Sequence, residues 1–518
     1  MSISLVKSRA LLGISSPLVD VEVHIGNGLP AFNIVGLPEA EVRESRERVR
    51  AAIVHSGFEF PNRRLTVNLA PADLPKNSGR FDLPIAIGIL AASGQLASSG
   101  LDEIIAGLEF VGELSLTGAI RPVAGLLAMA VASQRQSRRL LIVPKDNASE
   151  LAALLEPRAL AAQNLKEVAA HLLGKSSLER LRHHRISCDR SFGSNFSQIK
   201  GLSLAKRALE IAAAGSHGLI MVGHPGAGKS LLANAMPSIL PPLDEEQATE
   251  VMVLHDVKRG QTERHEQLSA RASGSLIEAW GQRPFRNPHH SASAVALVGG
   301  GSPPKPGEVS LAHQGILFLD EFPEFNRHAL ESLREPLECG QISISRAARQ
   351  VVFPARFQLI AAMNPCPCGF FGDPRCLCSR ERVIKYQGRV SGPLLDRIDV
   401  QVQVEAVHED VLLNNSTEEC SYSIAERVAK AYEIQALRQG KPNAQLEPNE
   451  IEKFCTLPIE AKTLLVRAAQ RLQWSSRASH RVIKLARTIA DLQNSITITA
   501  SHIAEAISFR RALINASL

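Results

Sequence analysis

The period of the apolar positions changes twice along this chain. Between Val19 and about Leu173, short alternating runs (Val19 to Ile25, Leu65 to Leu69, Leu140 to Val143) interleave with stretches whose apolar residues recur at helical spacing (Glu39 to His55, Leu83 to Ser93, Leu126 to Gln134). That interleaving predicts a mixed α/β domain over residues 1–173. Residues 174–196 are rich in Ser, Arg and His and lose the periodicity, so they read as a linker. Within them, Arg182 to Arg185 reads as a solvated basic turn, with phosphate contact as the alternative. A second α/β region follows over 197–405, with apolar strands at Leu219 to Val222, Ile316 to Leu319 and Leu359 to Met363. Past Ala406 the pattern is helical to the end, apart from polar breaks near Asn414 to Glu419 and Gln439 to Pro448. A helical lid over 406–518 is therefore predicted, and no short-period repeat is found.

Composition narrows the class. A chain of 518 residues exceeds what one hydrophobic core organises, and 45% hydrophobic with 21% charged residues excludes disorder as the theme. Apolar runs such as Ile85 to Ala92 fall well short of the roughly 20 residues a bilayer core requires. Lys7 and Arg9 precede only a short, broken apolar stretch without a cleavage pattern. The expectation is a cytoplasmic protein without a membrane partner. A net charge of +6 permits nucleic-acid contact without demanding it. Of the 8 cysteines, four crowd into Cys366 to Cys378, which points to a metal site in a reducing compartment and away from a disulfide framework.

Candidate chemistry concentrates in the second region. Gly223, His224, Pro225, Gly226, Ala227, Gly228, Lys229 and Ser230 form G-x-x-x-x-G-K-[ST] directly after an apolar strand, and Leu231 opens a helix. Glycines at these places turn backbone N–H groups toward phosphate oxygens. Lys229 is placed to reach the β/γ-phosphates of ATP, and Ser230 to ligate Mg²⁺. Ile316 to Leu319 runs into Asp320 and Glu321, as a buried parallel strand ending in two acids at the cleft: Asp320 as a second Mg²⁺ ligand, Glu321 as the base that orients attacking water. The strand Leu359 to Met363 delivers Asn364, whose amide suits water or the γ-phosphate, although Asn before Pro365 is also an ordinary turn residue. Arg397, Arg477 and Arg481 suit phosphoryl-transfer charge, with a surface ion pair as each one's alternative.

Cys366, Cys368, Cys376 and Cys378 form two C-x-C knuckles seven residues apart, a spacing that lets four thiolates converge on one structural Zn²⁺; four free thiols are the alternative. His289 and His290 read as ordering their loop, because neighbours on an extended chain point to opposite faces and so make poor joint metal ligands. Between Glu338 and Phe353, two β-prone arms flank Ser345 to Arg349 and predict a hairpin with Arg346 and Arg349 near its tip. Those arginines are candidates for gripping DNA phosphates, with bridging to acidic groups of another subunit as the alternative.

Gly223 to Ser230, Ile316 to Glu321, Asn364 and Arg397 together resemble the AAA+ ATPases, in the branch holding magnesium-chelatase motor subunits and the MCM helicases. The segment 199–215 looks like the helix before the phosphate loop there. The phrases RPFRNPHH (283–290), VGGGSPPKPGEVSLAHQG (298–315) and EPLECGQISISRAA (335–348) are similar to the bacterial YifB/ComM family, and the similarity spans nearly the whole chain. The resemblance implies an AAA+ α/β core with a helix-2 insert and a hairpin before the Asn-bearing strand, ATP held between subunits of a hexamer, Arg397 as the trans finger, and Arg477 or Arg481 as lid sensor. Leu202 and Ser230 stand where the family often has Gln and Thr; Ser keeps the Mg²⁺-binding hydroxyl. Residues 112–133 and 140–147 resemble the Lon-protease fold, yet Leu127 and Phe81 stand where the lysine and serine nucleophile are expected, with Ser78 displaced, so peptidase chemistry is expected to be lost. Family membership implies a DNA helicase or branch-migration motor on single-stranded and branched DNA, aiding homologous recombination during natural transformation, with recombination proteins as further partners. The alternative is a chelatase-type motor that remodels a partner protein.

Overall fold

The computed structural model describes residues 2–36, 40–74, 76, 79–97, 100–136, 139–184, 195–259, 279–301, 304–346, 349–407, 410 and 418–510, without the side chains of 2, 40–43, 346 and 349. Pro75, Asn77, Ser78, Arg185 and Cys188, and part of the break near Asn414, lie outside the described residues. The fold is α/β throughout, with a helical C-terminal region. Contacts gather it into two compact units, the first taking in Met1–Cys188, Asp244–Gln282 and Ser345–Phe353, the second the remainder.

In the first unit, one sheet runs in the order Ser2–Arg9, Leu18–Gly26, Arg64–Ala70, Ala31–Val35, antiparallel except for the last pair. Alternation explains its one-sided burial: Val19, Val21, Val23 and Ile25 enter the core while Glu22 faces water. The helix Asp82–Ala92 packs on this sheet and is buried at every position but Ala91. A second sheet pairs Leu108–Phe110, Leu140–Pro144 and Ala159–Ala162 in parallel, with Glu179–Arg180 antiparallel at its edge. Arg9 and Glu109, both fully buried, meet at 2.6 Å, and Ser16 O and Gln136 take further guanidinium protons. Such a pair is tolerated in the interior because its remaining donors are also satisfied.

The helix Glu245–Arg259 belongs to this unit although its sequence lies between the phosphate loop and the acidic strand. The fully buried Asp256 carboxylate accepts from the N–H groups of Gly125 and Leu127 at 3.1 and 3.0 Å, and Arg259 pairs with Glu150 at 2.9 Å. Burial raises the Asp256 pKa, opposed by Arg259 and those two backbone donors.

The second unit is built on a five-stranded sheet in the order Phe285–Arg286, Ile316–Leu319, Gln358–Met363, Leu219–Gly223, Val400–Val404, parallel at every junction. Gln358–Met363 and Leu219–Gly223 are buried at every residue, as expected of parallel strands covered on both faces. Leu219–Gly223 sits one strand from Gln358–Met363 and two from Ile316–Leu319, so the C-terminal ends of three strands deliver Gly223, Asn364 and Asp320 to one edge. In open parallel sheets that edge is where ligands bind. The helix Ser203–Gly215 and the C-terminal helices Ser421–Gln439, Ile459–Arg471, Ser476–Leu492 and Ala500–Ser508 share one core with the sheet. Val482, Leu485, Ala486, Ile489 and Ala490 supply the buried stripe of one of them at helical spacing.

The predicted hairpin forms between Gln341–Arg346 and Arg349–Pro354. Arg346 and Arg349 flank its turn, while 347, 348 and both arginine side chains lie outside the described residues. No helix among the described residues is long and apolar enough to cross a membrane.

Candidate nucleotide site and cysteine centre

The loop after Leu219–Gly223 turns through Gly226 and Gly228, at φ of 78° and 89°, into the helix Lys229–Ala235. That left-handed backbone is open to glycine at little cost. Lys229 folds back over the loop: its ammonium donates to Gly223 O at 2.7 Å, His224 O at 2.9 Å and Asn364 Oδ1 at 3.1 Å. Burial pulls its pKa down and the Asp320 carboxylate opposes that shift. Ser230 Oγ donates to Asp320 Oδ2 at 2.7 Å, bringing together the hydroxyl and carboxylate that suit Mg²⁺. Lys229, Ser230, Asp320 and Asn364, singled out from separate places in the sequence, thus converge at one sheet edge.

Glu321 adjoins this cluster in left-handed backbone, φ 51°, as the strand breaks into a short 3₁₀ turn. Its Oε2 lies 2.8 Å from His290 Nδ1, and the His290 ring lies against that of His289, centroids 4.1 Å apart. From sequence, His290 reads only as a loop-ordering residue. What places it on Glu321 is the strand Phe285–Arg286, which pairs in parallel with Ile316–Leu319 and sends the following residues to the same edge. A strand this short gives periodicity nothing to register.

Arg397 and Arg477 converge elsewhere. Arg397 Nη2 pairs with Glu338, its Nη1 donates to Pro393 O at 2.7 Å, and Arg477 Nη1 reaches the same Glu338 oxygen at 3.4 Å. Arg397 Nε is buried without a partner among the described residues. Arg481 turns inward instead, donating to Arg397 O at 2.8 Å and pairing with Asp399. Asp399 also bonds His217 Nδ1 at 2.9 Å, and His217 Nε2 meets Thr488 at 2.7 Å. Buried Asp399 is held well below the usual carboxylate range by Arg481 and His217, which outweigh desolvation. This polar network, tying the helix Ser476–Leu492 to the sheet, is invisible in the sequence because His217 and Thr488 alone are 271 positions apart.

The four cysteine sulfurs of 366, 368, 376 and 378 all lie within 4.8 Å of one another. Three of their separations are 3.3, 3.6 and 3.9 Å, near the edge of about 3.8 Å for a tetrahedron with 2.3 Å Zn–S bonds. The donor set therefore fits a tetrahedral, thiophilic divalent ion. Backbone donation from Phe370 pulls the Cys368 thiol down to about 6, while burial and its thiol neighbours push Cys366 up to about 12.

Known families cover most of this chain. Those described as magnesium chelatase subunit ChlI, subunit ChlI of Mg-chelatase, and the ChlI C-terminal region match residues 195–412, 21–147 and 418–510. The chain is 45% identical to the protein YifB of Salmonella typhimurium over 98% of its own length and 97% of that protein. To the competence protein ComM of Haemophilus influenzae it is 45% identical over 98% of each. A DNA replication licensing factor of Dictyostelium discoideum matches at 24% identity over 38% of this chain and 21% of its own. With similarity sustained from end to end and the phosphate-loop geometry in place, this chain belongs to the YifB/ComM family of magnesium-chelatase-like AAA+ proteins.

Proposed function

We propose that this chain is an ATP-hydrolysing ring motor that moves along DNA, a helicase or branch-migration translocase. The observation that carries the ATPase reading is the Lys229, Ser230, Asp320 and Asn364 cluster at the sheet edge. In this reading Gly223 to Leu231 cradle ATP, Ser230 and Asp320 hold Mg²⁺, and Glu321, oriented by His290, activates water. Arg397 acts on the nucleotide of the adjacent subunit of a hexamer, which accords with its lying on Glu338 rather than on its own phosphate loop. Arg477 is favoured over Arg481 as lid sensor, because Arg481 is committed to Asp399. The four cysteines hold a structural Zn²⁺. In this reading residues 1–173 form a Lon-like domain without peptidase activity, and 174–196 a linker whose Glu179–Arg180 pairs with that domain's second sheet. Residues 197–405 are the motor core, apart from the segments 244–282 and 345–353 that pack with the first unit, and 406–518 the lid.

DNA is the track on two grounds. The hairpin flanked by Arg346 and Arg349 has the chemistry for sequence-independent phosphate contact. Relatives named for competence and for DNA replication point the same way, and this reading includes aid to homologous recombination during natural transformation. The second reading, a motor remodelling a partner protein, is favoured by the magnesium-chelatase match over 195–412. ATPase rate with and without single-stranded and four-way-junction DNA separates them. Stimulation that disappears in an Arg346→Ala, Arg349→Ala double variant supports the DNA track; a rate indifferent to DNA favours remodelling.

A further inference from the structure

The cysteine loop lies against the phosphate loop. Gly369, between the two cysteine pairs, has φ 86°, and a Cβ there would sit 2.5 Å from Pro225 Cδ, so both backbone conformation and space demand glycine. Its carbonyl accepts from His224 Nδ1 at 2.6 Å. Phe370 stacks on the His224 ring, 5.8 Å between centroids and 24° between planes, and Arg375 lies 4.4 Å over that phenyl ring, itself anchored by Asp373. The same loop is tied at its start by Gln387, which donates to Pro365 O at 2.9 Å, and by the turn from Gly369 N to Cys366 O, also 2.9 Å.

His224 and Pro225 are thus held from two sides. Lys229 takes the carbonyls of Gly223 and His224 from within, and the cysteine loop takes the His224 ring and the Pro225 ring from without. The four sulfurs lie within 4.8 Å of one another, and a divalent ion bound to all of them as thiolates would tie both ends of the loop together. Each thiol that is protonated gives its proton to solvent as the metal binds.

We propose that the zinc-held cysteine loop is an outer wall of the nucleotide site, setting the phosphate loop's backbone through His224 and Pro225, so that metal and nucleotide binding are linked. His224 is a positioning residue here. The inference rests on the nucleotide and zinc readings above, and the test separates its failure from theirs.

The full-length protein is assayed for zinc content, for zinc affinity by competition with a zinc-selective chelator with and without MgADP, and for affinity toward a fluorescent ADP analogue before and after zinc removal. The expected result is one zinc per chain, zinc held about 10-fold more tightly with MgADP, and the analogue weakened by the same factor when zinc is removed, because linkage is reciprocal. His224→Ala keeps its zinc and loses most of that mutual effect, which an unfolded loop would not do. One zinc per chain, with each ligand's affinity indifferent to the other, overturns the inference. Absence of zinc overturns the metal reading instead, and failure of the zinc-loaded chain to bind the analogue overturns the nucleotide reading.

Discussion

Two glycine-bearing turns of this protein, the phosphate loop and the turn from Gly125 to Leu127, differ in what satisfies their backbone and side chains. At the phosphate loop, Ser230 remains exposed, as does Glu321 beside it, and Lys229 donates to the carbonyls of Gly223 and His224. At the other turn, the apolar Leu127 is buried, and the N–H groups of 125 and 127 are taken by Asp256 from the helix Glu245–Arg259. Phe81, at the other expected catalytic position, is fully buried as well. In the nucleotide reading, the phosphate loop keeps polar groups whose partners substrate can replace, whereas at the turn from Gly125 to Leu127 the chain itself supplies the partner.

Four changes test that contrast, taken from the largest expected effect downward. Arg397→Ala is expected to lower ATP turnover about 10³-fold while nucleotide binding persists, as for an arginine finger; steady-state turnover alongside fluorescent-nucleotide titration decides it, and wild-type turnover would remove Arg397 from the site. Glu321→Gln should cost about 10²-fold in turnover and leave an ATP-bound assembly visible by size-exclusion chromatography with multi-angle scattering. An unchanged rate there would mean another group orients the water.

At the turn from Gly125 to Leu127, Asp256→Ala leaves two buried N–H groups without an acceptor and should destabilise the first unit by about 2 kcal/mol. Denaturant unfolding reads this, with nucleotide affinity as the control expected to stay put. Loss of nucleotide binding with no loss of stability would reverse the contrast between the two turns. The smallest effect is expected for His290→Ala, roughly 5-fold in turnover with little change in KM, a fraction of the general-base contribution. If turnover and KM are both unaltered, the contact at 2.8 Å does not orient Glu321.

Residues contiguous in sequence were the legible ones. Ile316–Leu319 appears with the bounds its apolar run predicts, and the two hairpin arms form on either side of the predicted tip. The phosphate loop and the C-x-C pairs were readable because a covalent spacing already limits where their atoms can go. The roles of His290, Glu338 and His224 toward their partners were not readable, since each comes from a residue distant in the chain: Glu321, Arg397 and Gly369 respectively. The helix Glu245–Arg259 is the extreme case: nothing local says that Asp256 will take the N–H groups of residues near 125.

Local sequence by itself determined the kind of the longer periodic elements and the chemistry they could carry, because backbone propensity, turn glycines and motif spacing act over a few residues. Only the tertiary structure decided which groups meet: that His290 takes Glu321, that Arg397 and Arg477 share Glu338, and that the cysteine loop lies on His224. Those pairings follow from strand order and from which faces become buried together, quantities set by the packing of the whole core rather than by any one segment of it.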